Sequence, residues 1–520
     1  MMKGEWLMKR FDYYSDWCEY TYPEISVLSD DSDIRSGYCR VDLSDSGRYP
    51  SGGIPLLVTD RVAYLNDRTE NTIIFGETGS KKTRTVIAPL IMTTAGAGES
   101  AFVTDIKGEL WGNRKLRGFL EERGINTVCI DFRSFKGDSV NILEYPFMLY
   151  RNGDRDKALA ECSAIFSALG DKYRKTDDPF WSDSAMMYLK SIIEIVFILG
   201  VENDQAESVN MFSLSRLANM KSAYDLSKLV KENESVFREK MTPMGFSMLE
   251  SIVMNPAEKT LGCIMSFVQS MIQPFVMEPK LTEMLSRTTF DIDSIYEKPT
   301  CVFLIVPDET SAYDSIAGLL IDNFYTRLIE KYSRVYTNKN EAPCRINFIC
   351  DEFCNMFIND MKAKISASRG RNMRWFLVCQ SKDQLEKSYG EHAGTIIGNC
   401  RNTLFLQSSD KQLLDYICDL CGETGVVDKG GSERLVTPKM LKGLRKETAF
   451  KEAVFIDGNT VYFAKLPDID SYDMLKKYSG SRSSGKANKS CAGSSVAFFT
   501  ANDVFDAFCP EEYDIWAAGD

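Results

Sequence analysis

Histidine is almost missing from this sequence: one, His392, in 520 residues. Long apolar runs are missing too. No stretch reaches the roughly 18 consecutive apolar residues of a membrane-spanning helix. The nearest, Ile192 to Val201, is short and interrupted by Glu194, so the chain is expected not to cross a membrane by itself. Positive charge is not in excess either, since 62 Lys and Arg face 74 Asp and Glu for a net charge of −12. That removes any global electrostatic case for nucleic-acid binding. A locally basic channel stays open, because affinity for phosphate follows the local field. No secretory leader precedes the 15 cysteines, and many of them (Cys301, Cys350, Cys379) sit in apolar runs, where a reduced cysteine acts as a small hydrophobe. Cys418 and Cys421 have C-x-x-C spacing with no second pair or histidine nearby. Buried helix cysteines are therefore expected there, not zinc. A reduced, cytosolic protein fits best.

What is present is ordinary globular composition, 44% hydrophobic and 26% charged, in a chain long enough for two or three domains. Residues 1–51 are polar and acidic, with the run Ser29-Asp30-Asp31-Ser32-Asp33, and read as a loosely structured arm or a partner-binding segment. From Gly52 short apolar runs alternate with helical patterns. The strand candidates are Thr72–Phe75, Ala101–Thr104, Thr127–Ile130, Thr300–Val306, Ile346–Cys350, Trp375–Cys379, Asn402–Leu406 and Val461–Ala464. Such an alternation predicts an α/β fold with a mostly parallel sheet and helices on both faces. Between 155 and 290 the strand signal vanishes; Lys157–Leu169, Asp183–Ile198, Ala223–Lys231 and Thr260–Met277 carry helical spacing. The expected organisation is an α/β domain over 52–154 and 291–475, interrupted by an all-helical insertion over 155–290. A Gly/Ser/Lys-rich linker follows over 476–495. The tail, 496–520, is rich in aromatics and acids; docking on a neighbour or partner and folding back on the chain both remain open.

The chemistry starts at GETGSKKT, residues 76–83, directly after Thr72–Phe75. A nucleotide triphosphate needs backbone N–H groups aimed at its oxygens, a lysine on its terminal phosphates and a hydroxyl on magnesium. Gly76, Glu77, Thr78, Gly79, Ser80, Lys81, Lys82 and Thr83 follow the G-x-x-x-x-G-K-[ST] spacing, except that Lys81 stands at the second glycine. Ile346–Cys350 ends in Asp351-Glu352, an aspartate placed to bind magnesium and a glutamate placed to activate water. Gln380 ends the next strand, where its amide could sense a γ-phosphate. Ser368-Arg369-Gly370-Arg371 supplies guanidinium groups that could reach a neighbouring subunit's nucleotide, and such an arginine given in trans stabilises the charge that develops in phosphoryl transfer.

With these residues in view, the chain resembles the type IV secretion coupling proteins, the TraG/TraD-type conjugation ATPases. The resemblance runs from about Gly52 to about Lys465 through GGIP (52–55), the phosphate loop, TDIKGELW (104–111), VNILEYPF (140–147), DPFW (178–181) and CVFLIVPDE (301–309). It continues through FICDEF (348–353), SRGR (368–371), CQSKDQLEKSYG (379–390) and NCRNTLFL (399–406). It implies a RecA-like P-loop domain with an inserted all-helical domain, assembled as a homo-hexamer with nucleotide between subunits. Its cofactors would be ATP and Mg2+. Its partners would be single-stranded DNA carrying a relaxase, or a protein substrate, and the components of a type IV secretion channel. By position, Lys82 and Thr83 would hold phosphate and magnesium, Asp351 the metal, Glu352 the water and Gln380 the γ-phosphate, with Arg369 the trans finger.

Two departures from the family stand out. Its members usually begin with transmembrane helices, whereas this N-terminus has none, which predicts a cytoplasmic protein held at the inner face of the membrane through partners. Lys81 is the second. If that position needs positive φ, a side chain costs roughly 1–2 kcal/mol, about tenfold in nucleotide binding. Its ammonium is expected to face the β- or γ-phosphate or to displace Lys82. An active DNA-translocating ATPase is the leading reading. A non-hydrolysing nucleotide-binding recruitment receptor and an FtsK/HerA-like DNA pump are the alternatives.

Overall fold

A computed structural model describes residues 27–44, 47–170, 179–254, 257–336, 342–427, 431–458, 460–478 and 496–509. Residues 1–26, Asp178 of the DPFW segment, the linker residues 479–495 and the end of the tail, 510–520, lie outside them.

Among the described residues eleven strands form one sheet. Their spatial order is Val27–Ser29, Thr460–Pro467, Phe450–Asp457, Asn402–Gln407, Thr72–Gly76, Met373–Cys379, Ile346–Cys350, Ser100–Asp105, Thr300–Ile305, Asn126–Asp131 and Lys136–Gly137. From Asn402–Gln407 to Asn126–Asp131 every neighbouring pair is parallel. The hairpin Phe450–Asp457/Thr460–Pro467 adds antiparallel strands at one side. The central strands 72–76, 100–105, 300–305, 346–350 and 373–379 are buried along their whole length. That is why they read as unbroken apolar runs: helices cover both faces of a parallel sheet.

Alternation along each strand divides the core in two. Ile74, Val103, Phe303, Ile349, Phe376 and Val378 face one layer, with helix Ala88–Gly96 and helix Arg114–Glu122. Ile73, Phe75, Phe102, Phe348, Trp375 and Leu377 face the other, with helix Asp314–Val335. On that second face Phe348 stacks between Phe102 (5.2 Å) and Trp375 (4.2 Å) across three adjacent strands.

The segment 155–290 is helical in its described residues. Arg155–Gly170, Phe180–Glu202, Met220–Glu232, Pro243–Val253 and Glu258–Val276 are its longer helices. Phe180–Glu202 is long and apolar enough to cross a membrane by length and composition, but 83% of its most apolar window is buried inside the fold. Its Glu194, which interrupts the apolar run, is fully buried and accepts from the Thr242 N–H (2.6 Å) and hydroxyl (3.1 Å). It thereby caps the start of helix Pro243–Val253.

At the N-terminal end one expectation needs correction, and at the C-terminal end the described residues take one of the two readings left open. From Val27 onward the supposed loose arm is structured. Val27–Ser29 pairs in parallel with Thr460–Tyr462, the acidic run forms helix Asp31–Gly37 capped by Asp30, and Cys39–Asp42 joins Val62–Asn66 and Ile54–Thr59 in a small antiparallel sheet. Short strands of this kind carry no pattern of their own and are specified by the edge they pair with. At the other end residues 496–509 fold back on the helical segment. Helix Ala501–Phe508 lays Phe508 on Phe237 (4.2 Å), Phe498 meets Phe212, and the Phe499 N–H donates to Ser213 Oγ. Cys418 and Cys421 lie buried on helix Lys411–Cys421.

Candidate functional site

The phosphate-loop candidate leaves the C-terminal end of strand Thr72–Gly76 and enters a helical turn, Thr83–Ile87, that continues into Ala88–Gly96. Gly79 takes φ +79 and Lys81 φ +68. The left-handed backbone that favours glycine is therefore kept at position 81 with a lysine in it. Lys82 is buried, Thr83 is half-buried, and Thr78 and Gly79 are exposed at the loop's tip. The N–H groups of Gly79, Lys81, Lys82 and Thr83 donate to no acceptor among the described residues, and the buried hydroxyl of Ser80 has no hydrogen-bond partner. A Cβ at Gly76 would meet that hydroxyl at 2.6 Å and the Lys82 stem at 3.1 Å. Unpaired donors converging at a helix start are the donor set a phosphate takes. These residues fit one.

Two strands away, Ile346–Cys350 delivers Asp351 and Glu352 at the same edge of the sheet, with Gln380 following the strand between. The three elements meet at one carboxylate. Lys82 Nζ lies 3.1 Å from Glu352 Oε1, and Gln380 Nε2 donates to Glu352 Oε2 at 2.8 Å. Glu352 adopts φ +51, backbone strain of the kind stored at functional sites. Burial pushes the Asp351 carboxyl up to about 6 against the pull of Lys82, while the Glu352 charge pushes with burial. The Thr104 hydroxyl donates to the Asp351 carbonyl at 2.9 Å, and the buried Asp105 follows it at the end of the neighbouring strand. Asp105 accepts the Trp111 N–H at 2.8 Å, and its carboxyl too is raised by burial. A buried lysine, two buried aspartates and a carboxylate–amide pair can hold a divalent cation beside a phosphate and orient a water.

Sequence reasoning left Asp105 without a role. The signal was the one used for Asp351, an aspartate directly after a buried apolar run. Glu77 points elsewhere: its carboxylate accepts from Gln407 (2.9 Å) and Ser409 (3.1 Å), which ties the loop to the next strand. The expectation for Lys81 is corrected. Its ammonium neither faces the phosphate position nor displaces Lys82; it donates to the carbonyls of Glu447 (2.7 Å) and Thr448 (2.8 Å) and pairs with Asp468. Arg369 stands apart from the rest. It is 65% exposed, 3.4 Å from Glu70, and precedes strand Met373–Cys379, whereas Gln380 follows it. The strand length, roughly 3.3 Å per residue, separates it from the loop of its own chain.

The profile of the type IV secretory system conjugative DNA transfer family matches residues 46–449. The chain belongs to that family. Among solved structures, this family member is similar to the bacterial conjugative coupling protein TrwBdeltaN70 in its unbound form, with 14% identity, a TM-score of 0.57 and coverage of 86% of this chain and 93% of that one. TrwB in complex with the ATP analogue ADPNP matches with 14% identity, TM-score 0.57 and coverage of 86% and 95%. TrwB with ADP and Mg2+ matches with 15% identity, TM-score 0.57 and coverage of 85% and 94%. At such identity the likeness shows the fold alone: a RecA-like α/β domain with a helical domain. No curated protein sequence matches the chain.

Proposed function

We propose that this chain is an ATP-driven coupling protein that assembles as a hexameric ring and moves a relaxase-bound single DNA strand, or a protein, toward a type IV secretion channel. The observation that carries the reading is the contact chain Lys82–Glu352–Gln380, which gathers the loop and two strand ends at one point. In this reading the amides of Gly79 to Thr83 and Lys82 bind phosphate. Thr83 and Asp351 hold Mg2+, which supplies charge neutralisation when bound. Glu352 accepts a proton from the attacking water and Gln380 holds that carboxylate in place.

The Lys82–Glu352 pair also orders events. A lysine that turns to phosphate leaves Glu352, and the carboxylate is then free to take the water's proton. Water activation thus follows nucleotide entry. Arg369, exposed and at the far end of its strand, suits a neighbour's nucleotide better than its own, which supports a ring. Contact with the inner face of the membrane through partners belongs to the same reading; Phe180–Glu202 itself is packed inside the fold.

The test is ATP hydrolysis by the purified protein, with and without single-stranded DNA, beside Lys82→Ala. Turnover stimulated by DNA and abolished by Lys82→Ala is expected. A hexamer that binds ATP without turning it over would sink the motor and favour a nucleotide-held recruitment receptor.

A further inference from the structure

Lys81 occupies a backbone conformation that glycine adopts freely, and what its side chain does there concerns the loop, not the phosphate. Its ammonium reaches the carbonyls of Glu447 and Thr448 and the carboxylate of Asp468 (3.4 Å). Arg84, on the other side of Lys82 and Thr83, binds the same carboxylate with two nitrogens, at 2.9 and 2.6 Å. Lys82 and Thr83 are therefore bracketed by two cations anchored on one acid.

Asp468 is built for this. It is 3% exposed, its N–H donates to the Ala449 carbonyl (2.7 Å), and its Oδ1 also accepts the Asp470 N–H (3.1 Å). Burial opposes its charge, yet the Arg84 hydrogen bonds, the Asp470 N–H and Lys81 hold its carboxyl below the ordinary range. A third tie comes from the same region, where Lys446 Nζ donates to the Gly79 carbonyl at 2.5 Å. The segment 446–468 thus grips the loop at residues 79, 81 and 84. Its anchor lies beyond residue 449, where the family match ends.

We propose that Lys81 is a positioning residue. Its ammonium staples the loop to the turn at 447–448 and to Asp468, and so maintains in a side-chain-bearing residue the left-handed turn that presents Lys82 and Thr83. The inference rests on the reading of this loop as a nucleotide site. It predicts the opposite sign from a backbone argument: glycine at 81 relieves strain but releases the staple.

The test compares the wild type with Lys81→Gly, Lys81→Arg, Asp468→Asn and the double substitution Lys81→Gly with Asp468→Asn, all in the full chain. Two quantities are read. One is amide hydrogen exchange at Ser80, Arg84 and Thr85, whose N–H groups donate to the carbonyls of Glu77 and Lys81. The other is affinity for Mg–ATP. Losing charged hydrogen bonds predicts roughly tenfold faster exchange and weaker ATP binding in Lys81→Gly, with the melting temperature held. Lys81→Arg should restore both readouts, and the double variant should fall short of the sum of the two single effects, because the Asp468 tie is common to both while the ties to Glu447 and Thr448 are lost only with Lys81. Wild-type exchange in Lys81→Gly, with equal or tighter ATP binding, overturns the staple. Variants whose loop exchange responds as predicted, beside a wild type that binds no ATP, support the staple and sink the nucleotide reading instead.

Discussion

Lys82 and Glu352 meet at 3.1 Å across 270 residues of sequence, and Gln380 holds the other carboxylate oxygen of Glu352 at 2.8 Å. In the proposed mechanism this contact lets a phosphate-binding cation and a water-activating base neutralise each other before nucleotide arrives, a resting state in which neither works alone.

Removing the charge of the base separates binding from chemistry. Glu352→Gln should lower the hydrolysis rate by roughly a hundredfold or more, while ATP affinity is kept or rises because Lys82 loses its resting partner. Equilibrium binding and single-turnover kinetics on the same preparation measure both. Unchanged turnover would rule out Glu352 as the base.

Arg369 lies across its strand from the loop of its own chain. Arg369→Ala should therefore retain ATP binding and lose turnover by roughly three orders of magnitude. Mixing it with Lys82→Ala subunits, each inactive alone, should recover activity wherever an intact loop meets an intact arginine. No recovery in mixed rings would place the arginine outside the reaction.

Glu194 predicts a pH dependence remote from the site. Burial pushes its carboxyl from 4.5 to about 7, although the Thr242 N–H and hydroxyl pull it down. The proton is thus held more tightly in the fold than in the unfolded chain. The resulting stability is fully present below about pH 4.5 and is lost as pH rises through about 7, a change of about 3 kcal/mol. Thermal melting of Glu194→Gln between pH 5 and 8 should lack this slope and lie above the wild type at pH 8. An identical slope in both proteins would refute it.

Arg374 and Glu99 form a buried pair at 3.1 Å, with Arg374 1% exposed. The guanidinium also donates to Asn347 and to the carbonyls of Arg68 and Gly52. Replacing Glu99 with Ala leaves that charge unpaired and should destabilise the fold by about 3–5 kcal/mol, read by chemical denaturation. Lys107→Ala, on an exposed loop residue, should change stability by about 0.5 kcal/mol or less.

Physical context explains which parts were legible. The central strands could be read because a parallel sheet covered on both faces needs unbroken apolar runs, and Thr72–Gly76, Ile346–Cys350 and Met373–Cys379 have them. Strand Phe450–Asp457 was missed although it holds the buried apolar run Ala453–Ile456; Lys451 and Glu452 break the pattern near its start. Val27–Ser29 is a strand only because Thr460–Tyr462 lies beside it. In the site, the loop, Asp351-Glu352 and Gln380 were each visible as polar residues ending apolar runs. Asp105 gave the same signal.

The local sequence alone determined the α/β alternation, the helical insertion and the residues of the loop, because burial on two faces and helical periodicity are written in neighbouring positions. Only the tertiary structure decided that Lys82 pairs with Glu352, that Arg369 stands away from its own loop, and that the Lys81 ammonium turns to Asp468. The partners of the two lysines lie 270 and 387 residues away along the chain. Which of them a flexible cation reaches depends on the order in which the strands pair, and no local pattern carries that order.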